Sequence, residues 1–289
     1  MKKLFKVAIC SVSIILITVV FASCYPIKAN KVSLEKIEMT VEGRELALMS
    51  SENRNSLAAL GSEILKNAYS GENILISPLS IYLALAILAN SAAGDTLDEM
   101  LSVMGLSKSA LNTYCGHLYG LYAENADNKD VVKLANSIWY DGDNSLFVPK
   151  AEFLDANARY YGAEIYSAPF DERMLKDINN WVKKNTEKMI EKMYDALDPN
   201  AVMILLNTLA FEDKWDEAFK DTDSGGFADF GGNTDTAEYL KRTLDTGYYD
   251  SGNAKAFCYR FKNSRFGFLG ILPDGDIDSY IETFNSEEL

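Results

Sequence analysis

The stretch from Asn73 to Leu101 constrains this chain most. Asn73-Ile74-Leu75-Ile76 follows Gly71 and is long enough for one short buried strand. Ser77 stands where a helix N-cap is needed, because its hydroxyl can accept from the free N–H groups of a first turn. Pro78 follows at the first helical position, where a missing N–H costs nothing. From Ile81 to Ala89 every residue except Tyr82 is aliphatic. A helix that is apolar all round belongs inside a protein, so Ile81, Leu85 and Leu88 are expected to be almost fully buried. Asn90 and Ser91 end the run. Thr96 with Glu99 has the spacing of a capping box for the next helix, and Gly105 suits its C′ position.

The rest of the chain reads as helices first and strands later. Residues 55–69 and 109–124 are amphipathic and helical in spacing. The second of these carries the sole histidine, His117. With no nucleophile motif near it, His117 reads as a half-exposed helix residue rather than a general base. Residues 130–140 and 163–167 are strand-like, 149–162 and 171–193 helical. Asp141, Asp143, Ser145 and Glu152 are loosely spaced like a calcium loop. Leu146 replaces the glycine such a loop needs and Pro149 breaks it, so a turn is expected. Residues 202–211 form a continuous apolar run with Asn207 and Thr208 in its middle, the pattern of a central strand covered on both faces. A buried Asn207 must find hydrogen bonds, as a structural anchor or as part of a switch. Residues 221–235, rich in Gly, Asp and Ser, read as loop. Strands at 248–249, 255–262 and 265–272 and a helix start at 279–284 close the chain. The class is α+β.

These segments also carry a family resemblance. Asn73, Ser77, Pro78, Ser80, Ile81, Gly94 and Thr96 fill a strand-and-helix pattern similar to that of the serpins, the serine protease inhibitor superfamily. Ser91 stands where a Gly is usual. Leu134-Ala135-Asn136-Ser137-Ile138-Trp139 resembles the second strand of the family's large sheet. Ile178-Asn179, Trp181-Val182 and Thr186 resemble the helix crossing that sheet. Asn207-Thr208-Leu209-Ala210-Phe211, with Trp215 and Phe219, resembles the signature at the third strand, though Glu212-Asp213 departs from the usual Lys-Gly. Ala254-Lys255-Ala256-Phe257 and Gly270-Ile271-Leu272-Pro273 resemble strands of the second sheet.

The resemblance implies helices packed around a large central sheet with a second smaller sheet, incomplete at the carboxyl end. It covers about residues 53–289. It implies a suicide-substrate inhibitor of a serine protease rather than an enzyme. In that mechanism a cleaved reactive loop inserts into the large sheet, driven by stored strain. The loop, its hinge and its scissile bond are expected after residue 289, so the chain as it stands is expected to be inactive. Ser77, Ser80 and Asn207 match the shutter beneath the point where the sheet opens, and Trp215 matches the breach. The shutter's histidine partner would also follow residue 289. The alternative is a non-inhibitory, surface-tethered binding or scaffold protein on the same fold.

Composition narrows the surroundings. The net charge of −14 disfavours a nucleic-acid partner. Residues 1–6 are basic and 7–22 almost wholly apolar, a secretory signal over 1–23. Ala22-Ser23-Cys24 resembles a lipobox, with Phe21 in place of the usual Leu. Lipid on Cys24 of a surface lipoprotein, a soluble secreted product and an uncleaved anchor are the three readings, in that order. Residues 24–52 read as a tether. Beyond Cys24, Cys10 lies in the signal. Cys115 and Cys258 are expected as separate thiols rather than a bridge. No cofactor motif or metal-ligand spacing is visible. Without G-x-S-x-G, and with one histidine, an enzyme is the weakest reading.

Overall fold

Ser50 opens the first long helix, its Oγ accepting from the N–H of Asn53 at 3.4 Å. The computed structural model describes residues 27–34, 50–124, 132–229, 232–243, 246–262 and 266–285. In chain order the elements are β1 (Asn30–Val32), α1 (Ser51–Ala68), α2 (Pro78–Ala89), α3 (Gly94–Met104) and α4 (Lys108–Tyr119), which runs into a π-helical turn at Gly120–Glu124. Then follow β2 (Val132–Asp141), α5 (Ala151–Tyr161), β3 (Glu164–Ala168), α6 (Glu172–Asn185) and β4 (Met203–Phe211). Strands β5 (Asp221–Ala228), β6 (Thr234–Lys241), β7 (Tyr248–Asp250), β8 (Ala254–Arg260) and β9 (Gly267–Pro273) precede α7 (Ile277–Thr283). The mixed content is the α+β class that the sequence implies.

The strands form a four-stranded sheet in the order β1-β3-β2-β4, a β5-β6 hairpin and a β7-β8-β9 sheet. The chain divides into two compact units, and β2 and β4 each pass from one into the other. The first unit comprises Met1–Ser33, Ser137–Pro149 and Glu164–Leu205. In it β3 pairs parallel with the second half of β2, and β1 adds antiparallel to the other edge of β3. Part of the segment expected as a tether is therefore a strand. Trp139 stacks on Tyr166 at 4.1 Å between ring centres, and Met174, Ile178, Trp181 and Val182 bury one face of α6. Helix α6 ends at Asn185, well before the expected 193. Glu187 and Lys188 take positive φ angles of 49° and 67°, which no helix continues through.

The second unit comprises Leu34–Asn136, Lys150–Ala163 and Leu206–Leu289. Its core holds Leu60, Tyr82, Leu83, Ile87, Met104, Leu111, Tyr114 and Phe153. Tyr82, the one aromatic in the apolar run, is fully buried. Its hydroxyl lies 2.6 Å from Ser56 Oγ, which in turn donates to the Met104 carbonyl. Ile81 and Leu85 are only half-buried and Leu88 is 40% exposed. All-round burial of α2 is therefore wrong: α3 covers this stripe only in part, with Leu85 lining an apolar pocket beside Met100, Val103 and Met104. Residues 73–76 form no strand, and Leu75 is 98% exposed, because no strand pairs with them there.

Other expectations also changed. Helix α3 begins at Gly94 with no side-chain cap, so Thr96 and Glu99 lie inside it and make no capping box. Gly105 does close it, at φ 68°. His117 is buried at 6% exposure rather than half-exposed. Strand β4 alternates between half-buried and buried and ends the sheet order, so it is not covered on both faces. Residues 221–235 are mostly hairpin rather than loop: β5 and β6 pair from Asp221↔Lys241 to Ala228↔Thr234. Cys115 and Cys258 are free thiols, the first buried and the second exposed.

Candidate functional site

The two serines at the start of α2 form a local unit. Ser77 is extended, at φ −121° and ψ 91°, and so sits just outside the helix. Its Oγ accepts from the N–H of Ser80 at 3.4 Å and donates to Ser80 Oγ at 2.9 Å. Pro78, between them, offers no competing N–H. One hydroxyl thus caps the helix and orients the second.

Asn207 on β4 reaches a different partner. Its Nδ2 donates to Oδ1 of Asn136 on β2 at 2.8 Å. Asn136 Nδ2 donates onward to the carbonyl of Tyr161 at 2.8 Å, the last residue of α5. That carbonyl is one of the acceptors a helix end leaves without an intrahelical partner. Gly162 then turns the chain at φ 57°, and a Cβ there would meet the Tyr119 ring at 2.1 Å, so the site requires glycine. Two asparagines thus link a helix terminus to two strands. Asn207 Oδ1 is buried and has no hydrogen-bond partner among the described residues. Among the described residues no hydrogen bond joins the Ser77–Ser80 pair to Asn207.

Trp215 lies beyond the end of β4 in an aromatic cluster. It stacks on Phe261 at 4.7 Å and Tyr259 at 5.2 Å, with Phe219 and Phe268 edge-on at 5.6 and 5.8 Å. A short antiparallel contact holds it there, with Asp216 N–H to the Arg260 carbonyl and Lys262 N–H to the Lys214 carbonyl. Four ring contacts around a half-buried indole make a rigid corner.

The asparagine and serine groups are neutral and half-buried, apart from Asn136, which is buried. Burial first, then Cys115 beside it, holds the Tyr161 phenol protonated well above its ordinary range. Burial likewise pushes the Cys115 thiol up, so it is no nucleophile. Among the described residues no His, Cys, Asp and Glu cluster could hold a metal. Cys24 and the signal expected over 1–23 lie outside the described residues. The sequence pattern points to Ser77, Ser80, Asn207 and Trp215 but does not single out Asn136 as the partner of Asn207. A signal exists: along β2, Val132, Leu134, Asn136 and Ile138 share one face, so an amide stands at an inward apolar position.

A family model described as serpin (serine protease inhibitor) matches residues 52–289. The chain belongs to the serpin family. It is 29% identical over 222 residues to Serpin-Z2B of Oryza sativa subsp. japonica, which covers 74% of this chain and 52% of that protein. It is 31% identical over 160 residues to a serine protease inhibitor of Mus musculus, covering 53% and 37%. The chain spans 37% to 62% of the length of the curated relatives it matches here. Among solved structures, the thermophilic serpin tengpin in its native state superposes with a TM-score of 0.74 at 33% identity, covering 91% of this chain and 65% of that one. The latent state of tengpin gives 0.75, covering 83% and 66%. The fold, helices with a large and a smaller sheet, is that of the family.

Proposed function

We propose that the whole protein is a serpin-type inhibitor of a serine protease, working by the suicide-substrate route, and that the residues present here supply its scaffold. The observation that carries this is Asn207. A buried amide oxygen without a donor is costly, and it lies on β4, the last strand in the sheet order. Such an acceptor suits a strand that is filled or opened by a further element, which is the role the family's shutter plays. On this reading Ser77, Ser80 and Asn207 form the shutter, and a histidine on a further strand donates to Asn207 Oδ1. Trp215 forms the breach.

The bait belongs to residues after 289 on this reading. A chain ending at residue 289 then gives no covalent complex, whereas the product of the longer reading frame does. The test reads the gene beyond codon 289 and incubates both products with trypsin-like, chymotrypsin-like and subtilisin-like enzymes. An SDS-resistant complex with the longer product alone is expected. A complex with the 289-residue chain, or none with a longer product that carries a small-residue hinge, would overturn it.

A second reading is a non-inhibitory binding or scaffold protein. It is favoured by a relative named corticosteroid-binding globulin, from Saimiri sciureus, 30% identical over 157 residues. Either way, removal of residues 1–23 and acylation of Cys24 would hold the protein at a membrane surface outside the cytoplasm. Mass spectrometry of the mature product should find lipid on Cys24.

A further inference from the structure

Tyr161 closes α5 and is fully buried. Its backbone and its side chain belong to two different polar groups. The carbonyl accepts from Asn136, whose Oδ1 accepts from Asn207 on the outer strand β4. The hydroxyl donates to Asn112 Oδ1 of α4 at 2.6 Å. Asn112 and Asn90 exchange two amide hydrogen bonds, both at 3.0 Å. Asn90 is the C-cap of α2, and its Nδ2 also reaches Asn157 Oδ1 of α5 at 3.1 Å. A run of hydrogen bonds, joined through the covalent frame of Tyr161, thus leads from the edge of the sheet to the junction of α2, α4 and α5. All of it lies inside the second unit.

The junction end is shared out among too few donors. The Asn90 amide has two N–H groups, yet its Nδ2 faces the Ala86 carbonyl at 3.5 Å as well as the oxygens of Asn112 and Asn157. Asn112 Oδ1 in turn serves both Asn90 and Tyr161. Bonds shared in this way trade against one another, so a hydroxyl that leaves Asn112 changes how firmly Asn90 is held. Tyr161, Asn136 and Asn157 are each at most 1% exposed. Water does not replace a bond that they lose, and the loss is passed on to the next group. At the other end stands β4, the last strand in the sheet order, where local opening costs least.

We infer that Tyr161 is a coupling joint, through which the edge of the sheet at β4 and the junction of α2, α4 and α5 open and close together. Asn90 and Asn112 act through Tyr161 and are positioning residues for that edge. A change on α4 then reaches β4 without touching it, and a change on β4 reaches the end of α2 by the same amount. The shutter reading stops at Asn207, and the joint goes beyond it. It needs no ligand and no cleaved loop, so it stands whether or not the whole protein inhibits a protease.

The test is amide hydrogen exchange on the full chain, read at residues 206–211 of β4 and at 86–91 around the end of α2. Each rate is divided by that of β8, which lies in the same unit but outside the run, so a loss of global stability cancels. Asn112→Ala, at a half-buried position, should speed relative exchange at 206–211 at least about threefold. Asn207→Ala should do the same at 86–91. Both distant effects should vanish in Tyr161→Phe, which removes the hydroxyl and keeps the carbonyl bond to Asn136. If Tyr161→Phe does not fold, the double variant of Asn112→Ala and Asn207→Ala decides the matter, because coupled ends give less than additive changes. Unchanged relative exchange at the distant end, distant effects that survive Tyr161→Phe, or additive changes in the double variant would each overturn the inference.

Discussion

Asn207 and Asn136 are 71 positions apart in the chain, yet the amide nitrogen of one lies 2.8 Å from the amide oxygen of the other. The pair ties β4 to β2 by side chains where the strands' own polar groups would suffice. Removing it strands a buried acceptor. Asn207→Ala should therefore cost about 1–3 kcal/mol, and a double-mutant cycle with Asn136→Ala should show clear coupling. Urea unfolding checks this; additive effects of the two changes would mean the bond contributes nothing.

Helix α2 should respond by face rather than by hydrophobicity. Leu83 is fully buried and Leu88 is 40% exposed. Leu83→Ala should cost about 2–5 kcal/mol, and Leu88→Ala no more than about 0.5 kcal/mol. Tyr82→Phe, which removes only the hydroxyl shared with Ser56, should cost about 1 kcal/mol. Equal losses at Leu83 and Leu88 in thermal melts would contradict the exposure of Leu88.

What the sequence conveyed and what it hid follow one rule. Local chemistry was legible: Ser77 as N-cap, Gly105 and Gly162 as helix ends, Asp141–Asn144 as a turn, and β2, β3, β8 and β9 as strand-like segments. Partnership was not. The run from Ile81 is apolar enough for burial on every side, but burial also needs neighbours, and the stripe of Ile81, Leu85 and Leu88 is covered only in part. The β5–β6 hairpin reads as loop because Gly225 and Gly226 weaken strand propensity, while its backbone pairing is indifferent to side chains. Asn207 was visible as an amide in an apolar strand. Its partner Asn136 needed the register between two strands far apart in the chain.

Acid should loosen the first unit. Burial alone would raise the Glu164 carboxyl. Hydrogen bonds from Lys31, Trp181 and Tyr166 outweigh it, so the folded value lies below the ordinary one. A depressed carboxylate contributes stability above its unfolded value of about 4.3, and that contribution is lost as pH falls from there through the folded value. Amide exchange at residues 30–32 should accelerate across that window in the parent protein, and Glu164→Gln should remove the pH dependence.

The positive-φ pair after α6 offers a gain. Lys188 holds φ 67° with a full side chain, a conformation that costs an L-residue about 1–2 kcal/mol. Lys188→Gly should raise stability by up to about 1 kcal/mol, the offset being glycine's greater freedom when unfolded. A fall in the urea midpoint would mean that the lysine side chain contributes more than the backbone relief.

Of the two thiols described, only Cys258 should react with a thiol reagent in the native protein. Cys115 is fully buried, and burial disfavours its thiolate. Mass mapping after brief alkylation should find the label on Cys258, with Cys115 labelled only after unfolding.

The pairing of Asn30–Val32 with β3 sets an order of events in folding. The hydrogen bond from the Lys28 N–H to Asp177 closes a loop 149 residues long, and closing it costs about 4 kcal/mol of chain entropy before any contact repays it. Contacts so distant form slowly. During synthesis residues 28–32 must wait for a helix that emerges much later. Until then the edge of β3 stands open, and it is in that interval that two molecules are most apt to pair strand to strand.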